Sequence, residues 1–457
     1  MTGRTLVITN DFPPRVGGIE SFVLAMVQRM DPASVMVHTA RQPRDAAFDA
    51  GLTFPVIRDP ARIMLPTPWT TRRSVAIARD MGCDSVWFGA AAPLGLMASA
   101  LRKRAGVRRT VATTHGHEVW WAKAPRTRQL LHRIGETNDV LTYLGEFTRS
   151  QIARALSPAA AARMVQLTPG VDAQAFNPSV DGRPVREMYG LGDRPVIVCV
   201  SRLVKRKGLD MLIRALPLVQ RSVPDAAVLL VGDGPMRPKL ARLTSELGVA
   251  QDVVFAGAKP WTELPPHLAA GDVFCMPTRT RKLGFEVEGL GIVLLEASAS
   301  GLPIVAGQSG GAQDAVLDGE TGRIVDGRAG SEIAMILVRL LVDRDLSRQQ
   351  GQQGKTWSQQ HWSWPASSSA RRWPDPGRTC SPGGSRPARR ARAEPHAGAD
   401  RDGRDAARLS ATNLSDLDPA PLVFGMFSTH PTAPQRIALA RDWARLHDEP
   451  VPPVLPR

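Results

Sequence analysis

Residues 196–216, VIVCVSRLVKRKGLDMLIRAL, carry three patterns in immediate succession. Val196–Val200 is a short apolar, β-branched run, the mark of a strand covered on both faces. Arg202, Lys205, Arg206, Lys207 and Gly208 then make a basic loop, and from Leu209 onward apolar residues recur at helical spacing. An apolar strand feeding an amphipathic helix through a tight loop is half of a parallel crossover unit. Such loops open at the C-terminal edge of the sheet, where α/β folds bind ligands, so these cations face a crevice. Arg202 and Lys207 stand at the two ends of the loop, where both could grip a diphosphate. Lys205 and Arg206 suit a solvated loop better.

The same alternation runs outward in both directions. Strand-like runs recur at TLVIT (5–9), SVMVHT (34–39), SVWFGA (85–90) and TVATTH (110–115), then at AAVLLVG (226–232), DVVFAG (252–257), DVFCMP (272–277) and LPIVAG (302–307). The pattern loosens at NPSVDGRPVREMYGLGDRP (177–195), rich in Pro, Gly and Asp. The expected class is therefore α/β, with two doubly wound, Rossmann-like domains, 1–180 and 181–364, facing a cleft. A chain of 457 residues is long enough for two such cores and more.

The formal charge of +15 calls for an anionic partner. Cys83, Cys199, Cys275 and Cys380 show no CxxC spacing, and two lie in strand-like runs, which predicts buried thiols and a reducing cytoplasm. RTLVIT opens directly as a strand without a secretory leader, and no apolar run reaches membrane-spanning length. Any membrane contact is expected to be peripheral.

Residues 365–408 contain no Ile, Val, Leu, Met or Phe, so that segment is expected to be disordered. It resembles a GC-rich gene read out of frame and reads as a frameshift or fusion junction. Within 409–457, FGMFSTHPTAPQRIALARDWARLHDEP regains helical periodicity and is similar to the C-terminal tail of membrane-embedded zinc metalloproteases. Such a protease needs an H-E-x-x-H helix, and the one His-Glu pair, His117 and Glu118, is followed by VWWA. No protease activity follows.

Two further motifs carry chemistry. NDFPPRVGGIE (10–20) puts Gly17 and Gly18 between a strand and a helix, where backbone can approach an anion; a plain turn reads equally well. In FEVEGLGIVLLEASASGLPIVA (285–306) the helix is expected to start near Gly291 and stop at Gly301, before Pro303. Glu288 then sits at the helix mouth and Glu296 one to two turns inside. Two carboxylates so placed do not flank one bond as an acid–base pair. The spacing instead gives the helix N-terminus to a diphosphate, Glu288 to sugar hydroxyls and Glu296 to ribose hydroxyls.

Together the Gly-Gly loop, SRLVKRKG, LLVGDGPMRPKL, VVFAGAKP, the paired glutamates and GGAQDAVLDGETGRIV resemble a retaining glycosyltransferase of family 4 with the GT-B fold. FPPRVGGIESF, TTHGHEVWWA and FEVEGLGIVLLEA are most similar to the actinobacterial GDP-mannose-dependent mannosyltransferases acting on phosphatidylinositol mannosides. The resemblance covers residues 1 to about 364. It implies that Gly17 and Gly18 approach donor phosphates and acceptor, and that Arg202 and Lys207 neutralise the leaving diphosphate. It further implies that Glu288 holds the transferred sugar, His117 contacts that sugar, and Glu296 holds the ribose. Leu290, Gly291, Ile292 and Val293 would offer backbone groups, and Gly257, Ala258 and Lys259 would lie in the base-contacting loop. No metal is implied, because cations and a helix N-terminus supply the positive potential. One departure is Gln313 in GGAQDAV, where the family usually has Pro.

The implied partners are a nucleotide sugar, GDP-mannose, and an anionic phospholipid acceptor at the inner face of the plasma membrane. The basic stretches 67–81, which include Trp69, and 101–109 suit docking on anionic lipid, although an ordinary solvated helix face explains either one alone. Neither is interleaved with base-stacking aromatics, which argues against nucleic acid. A second reading is a non-catalytic sugar-nucleotide binder, since the family pattern stops just after HWSWP and the segment that normally crosses back to the first domain is replaced. A third is transfer to another lipid or to a polyol.

Overall fold

The computed structural model describes residues 3–15 and 17–364. The expectations for 365–408 and 409–457 lie outside the described residues.

Seven strands, β1 (Arg4–Thr9), β2 (Val35–Ala40), β3 (Val56–Asp59), β4 (Cys83–Phe88), β5 (Arg109–Thr113), β6 (Val140–Tyr143) and β7 (Val165–Gln166), form one sheet in the order β3-β2-β1-β4-β5-β6-β7. Six more, β8 (Val196–Val200), β9 (Ala227–Val231), β10 (Val253–Gly257), β11 (Val273–Met276), β12 (Ile304–Gly307) and β13 (Gly322–Val325), form a second in the order β10-β9-β8-β11-β12-β13. Neighbouring strands are parallel in both sheets. The order reverses between β1 and β4 in one and between β8 and β11 in the other, and those are the positions where a doubly wound sheet opens a ligand crevice. β8 and β9 are buried throughout because helices cover both faces, which is why their sequences read as unbroken apolar runs.

In the first core, Trp87 is buried, its indole N–H donating to Thr113 Oγ1 at 2.8 Å. At the edge, fully buried His38 lies 3.4 Å from Asp59 and 3.2 Å from Ser74 Oγ. Burial outweighs the Asp59 charge and lowers this imidazole to about 4. With no access to solvent, the Ser-His-Asp grouping is a structural knot. Three cysteines, Cys83, Cys199 and Cys275, are buried free thiols. Desolvation raises Cys83 to about 11 and Cys199 to about 12.

The sheets are joined by the expected linker, within which Arg183–Met188 forms a short helix. The chain also returns. After the helix Arg344–His361, the Val171 N–H donates to Trp362 O at 2.6 Å, and Val171 pairs with Ser363. Trp364 packs against the first core with the Arg29 guanidinium 3.8 Å above its ring. A Cβ on Gly170 would lie 2.6 Å from the Trp364 Cα, so only glycine lets the returning backbone so close. Residues 362–364 thus pack on the first domain although they follow the second in sequence.

Candidate active site

Four segments meet at the C-terminal edges of the two sheets. The first is the helix Ile292–Ala299, whose N-cap Gly291 has φ 80°, a left-handed conformation that glycine adopts freely. The N–H groups at its start have no intrahelical acceptor and carry the positive end of the helix dipole. Leu290 just before it is buried, while Ile292 and Val293 are partly exposed. A Cβ on Gly291 would touch Glu288 Cγ at 3.6 Å, so the Glu288 side chain lies against the helix mouth.

The second is the three-residue turn Lys205–Lys207 after β8. Buried Lys207 donates to Glu288 Oε2 at 2.8 Å, and Arg206 Nε is 4.0 Å from the same oxygen. Burial pushes the Glu288 carboxyl up, but the charges of Lys207 and Arg206 more than offset it and hold it below its usual range. One sequence expectation changes here. Arg206, read as solvated, is partly buried beside Glu288, its Nε making no hydrogen bond among the described residues. Arg202 is exposed, because Leu203 takes the buried position in the loop.

Glu296, one turn inside the helix, is in a different environment. It is buried, and the only hydrogen bond to its carboxylate among the described residues comes from Trp261 Nε1 at 3.4 Å. Desolvation raises its carboxyl to about 7. Nearby, Gly257 turns at φ 74°, Ala258 is exposed, and Lys259 lies 3.7 Å from Glu263.

The third segment is the loop after β5. Its Glu118 carboxylate is fully buried and accepts from the His115 N–H at 2.9 Å. His117 Nε2 lies 3.1 Å from Glu118 Oε1, without hydrogen-bond alignment. His115, which sequence reading passed over, stacks with His117, bonds the Gly89 carbonyl at 2.6 Å, and is lowered to about 4 by desolvation. A Cβ on Gly116 would stand 2.9 Å from Gly289 Cα, so the His115–His117 backbone lies directly on the Glu288 loop. The turn Gly310–Gln313 closes on it from behind: the Gly311 N–H donates to Glu288 O at 2.9 Å, while Gln313 points outward and is exposed.

The fourth is the helix Gly18–Val27, with Gly17 as its N-cap. Gly18 is exposed, with no atom within 4 Å of where a Cβ would stand. Buried Glu20, also missed in the sequence, pairs with Arg15 at 2.8 Å and fills the space beside Gly17. Any anion at Gly17 and Gly18 therefore meets a carboxylate as well as the helix dipole. Of the basic stretches, Trp69 is 69% exposed beside Arg72 and Arg73, whereas Arg102 is tied to Asp139 at 2.8 Å.

The chain matches the family models "Glycosyl transferases group 1" over residues 185–357 and "Glycosyltransferase Family 4" over residues 16–175. It is 48% identical over 364 residues to the GDP-mannose-dependent alpha-(1-6)-phosphatidylinositol monomannoside mannosyltransferase of Mycolicibacterium smegmatis, covering 79% of this chain and 94% of that protein. It is 43% identical to the Corynebacterium glutamicum mannosyltransferase named for the monoacylated form of that acceptor, over 79% of this chain and 94% of that protein. Among solved structures, Anabaena Alr3699/HepE in complex with UDP superposes with a TM-score of 0.68 at 18% identity, covering 80% of this chain and 98% of that one. Sucrose-phosphate synthase of Thermosynechococcus elongatus does so at 0.65 and 21%, covering 80% and 97%. These structural likenesses establish the GT-B fold.

Proposed function

We propose, from the premise that this chain belongs to the family 4, group 1 glycosyltransferases, that it moves mannose from GDP-mannose to a phosphatidylinositol mannoside with retention of configuration. The observation that carries this reading is the 48% identity over nearly the whole length of a relative named for that donor and acceptor. The site chemistry is compatible with it. The helix mouth at Gly291 and the Lys207 ammonium would supply positive potential to a departing diphosphate, with Arg206 beside them and the exposed Arg202 on the same loop. Leu290, Gly291, Ile292 and Val293 would meet the phosphates through their backbone groups.

Glu288, kept ionised by Lys207, can accept hydroxyls of the transferred sugar, and His117 lies on the loop packed against it. Glu296 and the loop Gly257–Lys259 would hold ribose and base. The acceptor hydroxyl attacks on the face the diphosphate leaves, and a phosphate oxygen takes its proton, so no enzyme nucleophile is required. Cationic side chains and the helix dipole make a metal unnecessary for this step.

Trp69 and the arginines beside it supply an apolar and cationic edge suited to peripheral contact with anionic lipid on the cytoplasmic side. The non-catalytic alternative rests on loss of the returning segment, and the contacts of residues 362–364 with the first domain weaken it. The test is incubation of the purified chain with labelled GDP-mannose and a panel of phosphatidylinositol, its mannosides and soluble polyols, with products resolved by mass. Transfer confined to a soluble sugar would overturn the lipid assignment.

A further inference from the structure

On the second domain a cavity of about 310 Å³ is lined by five cations, Lys205, Lys239, Arg279, Arg281 and Arg328, and by one acid, Asp210. Its carboxylates are already engaged. Asp210 accepts from Arg279 at 2.8 and 2.9 Å, and Glu286, just outside, takes Arg281 at 2.9 Å. The Arg328 guanidinium bonds only the Thr280 carbonyl, at 2.7 Å, among the described residues. Lys205 and Lys239 have no side-chain hydrogen bond or ion pair among the described residues. Burial and then the neighbouring Arg281 and Lys239 charges lower the Lys205 ammonium, as expected where cations crowd without counter-charge.

Three helix N-termini add to this potential. The helices Leu209–Gln220 and Arg237–Glu246 begin beside lining residues Asp210 and Met236, and the helix Gly330–Val342 begins two residues after Arg328. The first packs against the other two, whereas the helix Ile292–Ala299 at the candidate active site packs against Arg344–His361. The crossovers from β8 to β9 and from β9 to β10 run one way along the sheet and the crossover from β11 to β12 runs the other, so right-handed connections put the helices Leu209–Gln220 and Arg237–Glu246 on one face and Ile292–Ala299 on the opposite face.

We propose that this cavity is a second anion site, separate from the diphosphate position at Gly291, that takes a phosphate group. Lys205, Lys239 and Arg328 supply the uncompensated charge and the hydrogen-bond donors that an anionic phosphate group needs. The group could be a free phosphate ester or the phosphate of a lipid headgroup. The site also touches the catalytic loop: Lys205 faces the cavity while Lys207, in the same turn, holds Glu288, and the Arg279 N–H donates to Arg206 O at 2.8 Å. A phosphate in the cavity would thus brace the turn that carries Lys207.

The experiment titrates inorganic phosphate into the full chain, with and without saturating GDP, by calorimetry. One phosphate should bind under both conditions, and the double variant Lys239→Ala, Arg328→Ala should bind it about tenfold more weakly or worse while keeping its GDP affinity. Both side chains are exposed, so the variant's melting temperature should match that of the parent, and the single variant Lys239→Gln serves if it does not. Flotation with phosphatidylinositol and with phosphatidylcholine vesicles separates the two sources. Loss of phosphatidylinositol-vesicle binding in the double variant supports a lipid headgroup, and unchanged flotation with weakened phosphate binding supports a soluble phosphate. Phosphate that is displaced by GDP, that binds the double variant equally well, or that does not bind at all overturns the proposal.

Discussion

Glu288 and Glu296 are both buried carboxylates on one motif, yet the ammonium of Lys207 keeps the first ionised and the indole of Trp261 is too weak a partner to do so for the second. Raised to about 7, Glu296 binds protons in the native state that it would lose when unfolded, so its ionisation removes stability as pH climbs from the ordinary carboxylate value of 4.5 through about 7. The whole effect is on the order of 3 kcal/mol. Glu296→Gln should therefore raise the melting temperature of the free protein at pH 8 and leave it nearly unchanged at pH 4.5, which calorimetry across that range will check. The same substitution should weaken GDP-mannose binding, and should abolish the strengthening of donor affinity expected as pH rises through 7, because the ionised carboxylate is the better acceptor for hydroxyls. Glu288→Gln should instead lower turnover with little change in donor affinity; equal losses of affinity from the two variants, measured by calorimetry, would contradict this division. The difference in setting is legible in the sequence, since the glycines and Pro303 mark a helix that begins between the two residues and contains Glu296. The orientation of Arg206 is not, because a turn of three consecutive cations offers no periodicity to say which one faces inward. His115 and Glu20 are hidden for a related reason: their burial comes from partners distant in the chain or from a single local ion pair.

The turn Gly310–Gln313 gripping the Glu288 loop depends on backbone contact that no side chain could allow. A Cβ on Gly311 would fall 2.1 Å from Gly289 O, with no flexible group to move aside. Gly311→Ala should displace Glu288, cost roughly 2–4 kcal/mol of stability, and lower transfer activity more than tenfold. Gly190→Ala, at a position with φ 64° but open space around it, should cost only about 1 kcal/mol and leave transfer intact. Thermal melts and initial rates on the two variants will check the contrast. Strand positions and the starts of the main helices are readable from apolar periodicity and glycine placement. The need for glycine at 116, 289 and 311 is not, because it arises from segments apart in the sequence lying backbone to backbone, across the two domains at 116 and 289 and within the second at 311.

At the scale of the molecule, sequence alternation identifies two parallel-sheet domains and the linker between them, but misses the second connection at residues 362–364. A tryptophan shortly before a Pro/Arg-rich stretch carries no pattern to say that it packs on a domain left behind nearly 200 residues earlier. Trp364→Ala should lower stability by about 1–3 kcal/mol, measured by denaturant unfolding, whereas truncation after Pro365 should leave stability and donor binding unchanged. If cations and helix dipole alone neutralise the diphosphate, transfer rates should survive a metal chelator; loss of activity restored by magnesium would overturn that account.

The buried thiols give each domain its own reporter. Cys83 lies in the first sheet, Cys199 and Cys275 in the second, and burial suppresses the reactive thiolate at each. In a chain carrying Cys380→Ser, a thiol reagent can label these positions only when the surrounding strand opens. Labelling read by peptide mass would then give the opening free energy of each half separately, in one tube and without added probes, and would register which half a bound nucleotide or phosphate holds shut.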